Sequence, residues 1–175
     1  MVISYKKCLN CGSPDVEKII YSSPSVGALK EQEDSPQYHC NTCGQKWTAK
    51  EALDAAYNEI IGLRTSAGGF FGGYCEVTVD FQDRTLVWKH SLENELIEKQ
   101  LSQSNLSLFI SDLKMVDLLN WKRRYDDPDV LDGTQWEVEI IYKKCNKRKN
   151  GSNMFPAEWD DFCTSIRTIS GKKFQ

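Results

Sequence analysis

The chain is poor in histidine, with two among 175 residues, and has no long apolar run. His39 directly precedes a cysteine and His90 ends an apolar stretch, so no hydrolytic triad with a base held by a carboxylate can be assembled. No window approaches the roughly 18 consecutive apolar residues that a membrane helix needs. Met1 to Lys7 lacks the apolar core of a secretory signal. A cytoplasmic location is expected, with no membrane contact. An excess of positive charge is also missing: 22 Lys and Arg stand against 25 Asp and Glu, a net charge of −3. That excludes coating of nucleic acid by bulk charge. Neither a repeat of fixed period nor a low-complexity tract is present. Charge is uneven, with eleven acids against five bases in residues 51–120. At 40% hydrophobic and 27% charged, the composition is that of a folded chain.

What is abundant is cysteine, seven in all. Four of them form two matching pentapeptides, Cys8-Leu9-Asn10-Cys11-Gly12 and Cys40-Asn41-Thr42-Cys43-Gly44. A two-residue gap lets one tight turn aim both sulfurs at a single ion. The following glycine accepts the positive φ that folds the chain back. Four thiolates suit tetrahedral Zn²⁺, with iron the main competitor. The odd cysteine count and the absence of an export signal argue against paired disulfides. His39 is an alternative ligand by type, but its place before Cys40 reads as a flanking strand residue. With Cys8, Cys11, Cys40 and Cys43 filling the sphere, no position is left for water or substrate, so one structural Zn²⁺ per chain is expected. The segment it would staple has few large apolar side chains. These knuckles resemble those of a zinc ribbon over about residues 5–48, and the resemblance implies a small sheet folded around the ion.

Around the knuckles, Ile19 to Ser25 reads as a strand entering a turn, and 31–36 as a polar loop. Residues 37–39 and 45–47 read as returning strands. Thr48 and Glu51 form a capping box. Leu53, Ala56, Tyr57 and Ile60 continue it as a helix over about 49–61, with Gly62 as its stop. The tract Gly68-Gly69-Phe70-Phe71-Gly72-Gly73 reads as a hinge or sheet-entry loop. It lacks the Lys-Ser/Thr ending and the following helix of a phosphate loop.

Cys75, Val77, Val79 and Phe81 alternate with polar residues as a strand, and 85–90 returns as its hairpin partner. Residues 91–96 read as an acidic connector. A helix capped by Ser104 is expected to run through Trp121 toward Tyr125 and to stop before Asp126-Asp127-Pro128. The cluster of Asp126, Asp127 and Asp129 reads as a helix terminator, since the ligand spacing of a loop cation site is absent. Trp136, Val138, Ile140 and Tyr142 form a half-buried strand. A last helix carries Trp159, Phe162, Cys163, Ile166 and Ile169. The expected fold is α+β: a zinc ribbon (1–48), a connecting helix with a glycine-rich loop (49–73), and an antiparallel sheet with helices on one face (74–175). The Asp132-Gly133-x-x-Trp136 strand and the Gly151-x-Asn153-x-Phe155-Pro156 turn resemble those of small bacterial proteins, over about 105–170. That resemblance implies no activity.

Among the remaining cysteines, Cys75 and Cys163 fall on apolar faces, whereas Cys145 sits among cations, the setting of a reactive thiol. The sharpest surface feature is the basic run of Lys143, Lys144, Lys147, Arg148 and Lys149, with 122–124 as a second. It is expected at a hairpin tip, as a contact for an acidic partner or for phosphates. No catalytic constellation is visible. The expected function is that of a non-enzymatic intracellular zinc-binding adaptor or protein-interaction module. The acidic middle favours a protein partner over nucleic acid. The alternative is a zinc-ribbon nucleic-acid-binding regulator that uses the 143–149 hairpin.

Overall fold

A computed structural model describes residues 7–20, 35–69, 71–127 and 133–174. The expected turn at 21–25, the loop at 31–34, Phe70, and Pro128 through Asp132 lie outside the described residues. The chain divides into two compact units, Met1–Asn58 and Glu59–Gln175.

The first unit holds a three-stranded antiparallel sheet in the order β1 (Val16–Lys18), β2 (Tyr38–Cys40), β3 (Lys46–Trp47). Helix α1 (Ala49–Asn58) follows. The capping box forms as expected: the Thr48 amide donates to Glu51 Oε2 at 2.7 Å, and the Glu51 amide donates to Thr48 Oγ1 at 3.0 Å. Tyr38 and Trp47 stack at 5.9 Å, and with Cys8, Cys40 and Ala52 they make up a small core. The first strand is earlier than expected, at 16–18, and Ile20 is exposed.

The second unit is a seven-stranded sheet in the order β7-β6-β5-β4-β9-β10-β8. Its strands are β4 (Ile60–Gly69), β5 (Gly73–Asp80), β6 (Thr85–His90), β7 (Glu95–Gln100), β8 (Arg124–Asp126), β9 (Gln135–Tyr142) and β10 (Lys147–Ser152). Helix α2 (Gln103–Met115) precedes β8, and helix α3 (Trp159–Ser170) follows β10. All neighbouring strands pair antiparallel except β8 with β10. The α+β class is as expected.

Register places Leu63, Val79 and Leu86 in one cross-strand row, with Ile140 beyond Leu63, and Thr65, Val77, Trp88 and Val138 in the next. All of these are buried. Helix α3 covers this face, with Trp159 4.7 Å from Trp136, and α2 packs on α3. Trp121, Trp136, Trp159 and Phe162 form one aromatic cluster.

Four expectations are corrected. Helix α1 stops at Asn58, and Ile60 and Gly62 belong to β4, where the pairing with β9 slips by a bulge. Of the glycine tract read as a hinge or sheet-entry loop at 68–73, Gly68 and Gly69 end β4, which has strands on both sides, and Gly73 opens β5; the glycines of β4 fit because the neighbouring backbone leaves no room for a side chain. A Cβ on Gly68 would lie 2.0 Å from the Gly73 carbonyl oxygen. The end of the connector expected at 91–96 is structured: Glu95 and Leu96 begin the edge strand β7 (Glu95–Gln100). Helix α2 is capped by Ser102, not Ser104, and ends at Met115. Asp117 then turns left-handed (φ 49°), a short 3₁₀ turn covers Leu118–Asn120, and β8 follows. The Gly151 and Trp136 positions of the two C-terminal motifs meet across β9 and β10, and the Trp136 indole donates to the Met154 carbonyl at 2.9 Å.

Candidate metal centre

Both knuckles close in the same way. The Gly12 amide donates to the Cys8 carbonyl at 3.0 Å, and the Gly44 amide to the Cys40 carbonyl at 2.9 Å. Gly12 and Gly44 have φ of 72° and 74°, the left-handed region in which a Cβ is strained. The short sheet brings the two turns together, since β1 follows the first knuckle and pairs with β2, which runs into the second. Ser13 Oγ and Thr42 Oγ1 lie 2.8 Å apart, and Asn41 Nδ2 donates to Asp15 Oδ1 at 3.0 Å, tying one turn to the other.

The result is a cluster of four sulfurs, Cys8, Cys11, Cys40 and Cys43, all within 4.8 Å of one another. The Cys8–Cys43 and Cys11–Cys40 Sγ pairs are each 3.6 Å apart. A disulfide needs about 2.05 Å. A tetrahedron with metal–sulfur bonds of about 2.3 Å has edges of about 3.8 Å. The spacing therefore matches four ligands of one ion. Cys8 and Cys40 are buried, while Cys11 and Cys43 are exposed.

Polar hydrogens are directed at the sulfurs, the Asn10 amide reaching Cys8 Sγ at 3.4 Å. Burial opposes ionisation of Cys8, but the Cys11 and Asn10 amides and the neighbouring thiols outweigh it and bring the group down to about 6. The Ser13 amide favours the Cys11 thiolate, yet desolvation and the other three sulfurs push this thiol up to about 12. A divalent ion held among these sulfurs would resolve the opposed shifts of Cys8 and Cys11 by displacing their protons. His39 stays in β2 opposite Glu17 and is not among the clustered ligands.

No known protein family matches the chain, and no curated protein sequence is similar to it. The reading of this centre rests on its own geometry.

The basic run is not one patch. Lys147–Ser152 is strand β10 and not a hairpin tip. Lys149 pairs with Val138 on the core face and is 6% exposed. Its Nζ donates to the carbonyls of Trp121 at 2.5 Å and Leu119 at 3.2 Å. Arg148 lies on the opposite face, where its Nε donates to Glu139 Oε1 at 3.0 Å. Glu139 is itself buried, bridged to Arg64 at 3.2 Å and to Asn146 at 3.2 Å. Burial works against its carboxylate, but Arg148, Asn146 and Arg64 hold it below its ordinary value. Lys143, Lys144 and Lys147 remain exposed, Lys147 lying 5.0 Å over the Tyr142 ring. Alternation along β10 carried this correction: with period two, Lys147, Lys149 and Gly151 share the face of Trp136 and Ile140.

Cys75 and Cys163 are core residues as expected, and burial pushes their thiols up to about 11 and about 12. Cys145 is exposed. Asp126 pairs with Arg124 inside β8, and the Asp127 amide bonds to the Ser152 carbonyl, so these two acids belong to the sheet edge and not to a helix end.

Proposed function

We propose that the protein is a non-enzymatic zinc-binding adaptor whose N-terminal unit is a zinc ribbon. Cys8, Cys11, Cys40 and Cys43 would hold one structural Zn²⁺, and the α+β unit carries a separate core. The observation that supports this is the four-sulfur cluster with edges near those of a ZnS₄ tetrahedron. Such a site is full, so the metal supplies folding energy and no reaction centre. It would work in a reducing compartment such as the cytoplasm, where the thiolates stay available.

A protein partner is favoured over nucleic acid. The cations that would have lined a phosphate-binding hairpin are divided, with Lys149 inward and Arg148 committed to Glu139. Lys143, Lys144 and Lys147 alone are too few for a strong phosphate footprint.

Elemental analysis of protein purified without added metal is expected to give one zinc per chain, and Cys11→Ser with Cys43→Ser to abolish it. A near-zero ratio, or iron in place of zinc, overturns the metal assignment. For the partner, a photo-crosslinker placed at Leu9 on the exposed knuckle and used in source cells should capture polypeptide. Predominant capture of RNA or DNA would favour the regulator reading instead.

A further inference from the structure

The second unit contains a cleft of about 830 Å³ between the tip of the β4–β5 hairpin, the β6–β7 turn and the segment after α3. That volume is in the range of small-molecule sites. Two kinds of surface meet there. Trp88 and His90 stack in the wall with ring centroids 6.1 Å apart and planes 17° apart. Phe71 and Leu92 stand at the lining, 83% and 64% exposed. Together they place exposed apolar surface at the rim of one concavity, which a ligand's apolar part could cover.

The polar groups are also paired in a telling way. Lys172 Nζ lies 2.7 Å from Glu95 Oε1, with both side chains more than a third exposed, and 5.6 Å over the Trp88 ring. His90 Nδ1 accepts from the Glu93 amide at 3.3 Å, which leaves Nε2–H as the ring's donor. The charged lining is two acids, Glu93 and Glu95, and two lysines, Lys172 and Lys173. A simple anion or cation would leave one half of the Glu95–Lys172 pair without its counterpart. A molecule with both charges close together would satisfy each half, and a half-solvated ion pair opens at little cost.

We propose that this cleft binds a small zwitterion with an aromatic side chain, of the α-amino-acid class. The ammonium meets Glu95, the carboxylate meets Lys172 and the His90 Nε2–H, and the ring lies against Phe71 and Leu92. The assignment is independent of the metal centre.

The test uses the full chain and follows the amide resonances of Glu95 and Lys172 during titration with L-phenylalanine, 2-phenylethylamine, 3-phenylpropanoate and glycine. Phenylalanine should give saturable shifts. The other three probes should bind at least about tenfold more weakly, the loss expected when one charge-assisted contact or the ring is removed. Glu95→Gln, Lys172→Met and Phe71→Ser should each weaken phenylalanine to a similar degree without moving the melting temperature, since all three positions are surface-accessible. Equal binding of either singly charged probe overturns the zwitterion assignment. Absence of saturable shifts with phenylalanine, or variants that bind it as the native chain does, overturns the site.

Discussion

Lys149 is a cation turned into the core, and its surroundings make a sharp prediction. Its stem runs along the buried face, and its Nζ closes the carbonyls of Leu119 and Trp121, where the chain leaves its 3₁₀ turn. Lys149→Met keeps the stem and strands both carbonyls, so urea unfolding should show a loss of about 1–3 kcal/mol. Exposed charge changes at Lys143 or Lys144 should stay within about 0.5 kcal/mol. Burial, with Lys147 nearby, lowers the Lys149 ammonium from 10.5 to about 8, although Asp117 opposes this. A depressed amine means that the unfolded chain binds the extra proton between those two values. Stability should therefore rise with pH across that window, and the rise should vanish in the Met variant. Measuring both chains at the two ends of the window checks the sign. Neutralising 147–149 together, harmless if the run were a solvated tip, is expected to destabilise the sheet through Lys149 and through Arg148, whose loss weakens the hold on the buried Glu139.

At the scale of elements, the interlock of β9 and β10 explains why two glycine motifs occur together. A Cβ on Gly151 would lie 2.4 Å from Trp136 Nε1 and 2.6 Å from the Met154 carbonyl oxygen. Gly151→Ala should thus cost about 1–3 kcal/mol or more, by pushing the indole off its hydrogen bond. Gly72→Ala meets nothing within 4 Å and should be neutral or slightly stabilising, and thermal melts of the two variants make the contrast. The same contrast separates what was legible from what was not. The knuckles, the Thr48–Glu51 box and the alternation of β5 and β9 are local signals, readable from spacing alone. Strand β4 was hidden because its core face carries Thr65 and Ala67 between glycines, a poor strand signature that only close backbone neighbours reward. Strand β7 was hidden because one face of this edge strand is exposed, the other is only half-buried, and it is charged against association. The end of α2 was missed because its stop depends on a left-handed Asp117 and a lysine 28 or more residues away, neither visible in a helical stripe. The four clustered cysteines were readable because coordination chemistry fixes residue type and spacing; the cleft at Trp88 was not, since its walls come from segments that meet only in the folded sheet.

For the whole molecule, the division at Asn58 and Glu59 sets the response to metal loss. The core of the first unit is small, with Tyr38, Trp47 and two of the sulfur residues in it, so an ion held by the four sulfurs would supply much of its stability. The second unit has its own aromatic cluster and helices. Chelation is expected to remove hydrogen-exchange protection from residues 7–20 and 35–48, while β9 and α3 keep theirs. Loss of protection across both would show one cooperative unit. The sheet order also governs how the chain is made. Strands β4 to β7 can meet as successive hairpins, but the other edge of β4 waits for β9, whose Tyr142 pairs with Ile60. At about 5–20 residues per second, a ribosome leaves that edge bare for several seconds. During this interval the nascent protein presents an open, uncharged run from Thr65 to Gly69, a template for mispairing with a neighbouring polysome-borne copy.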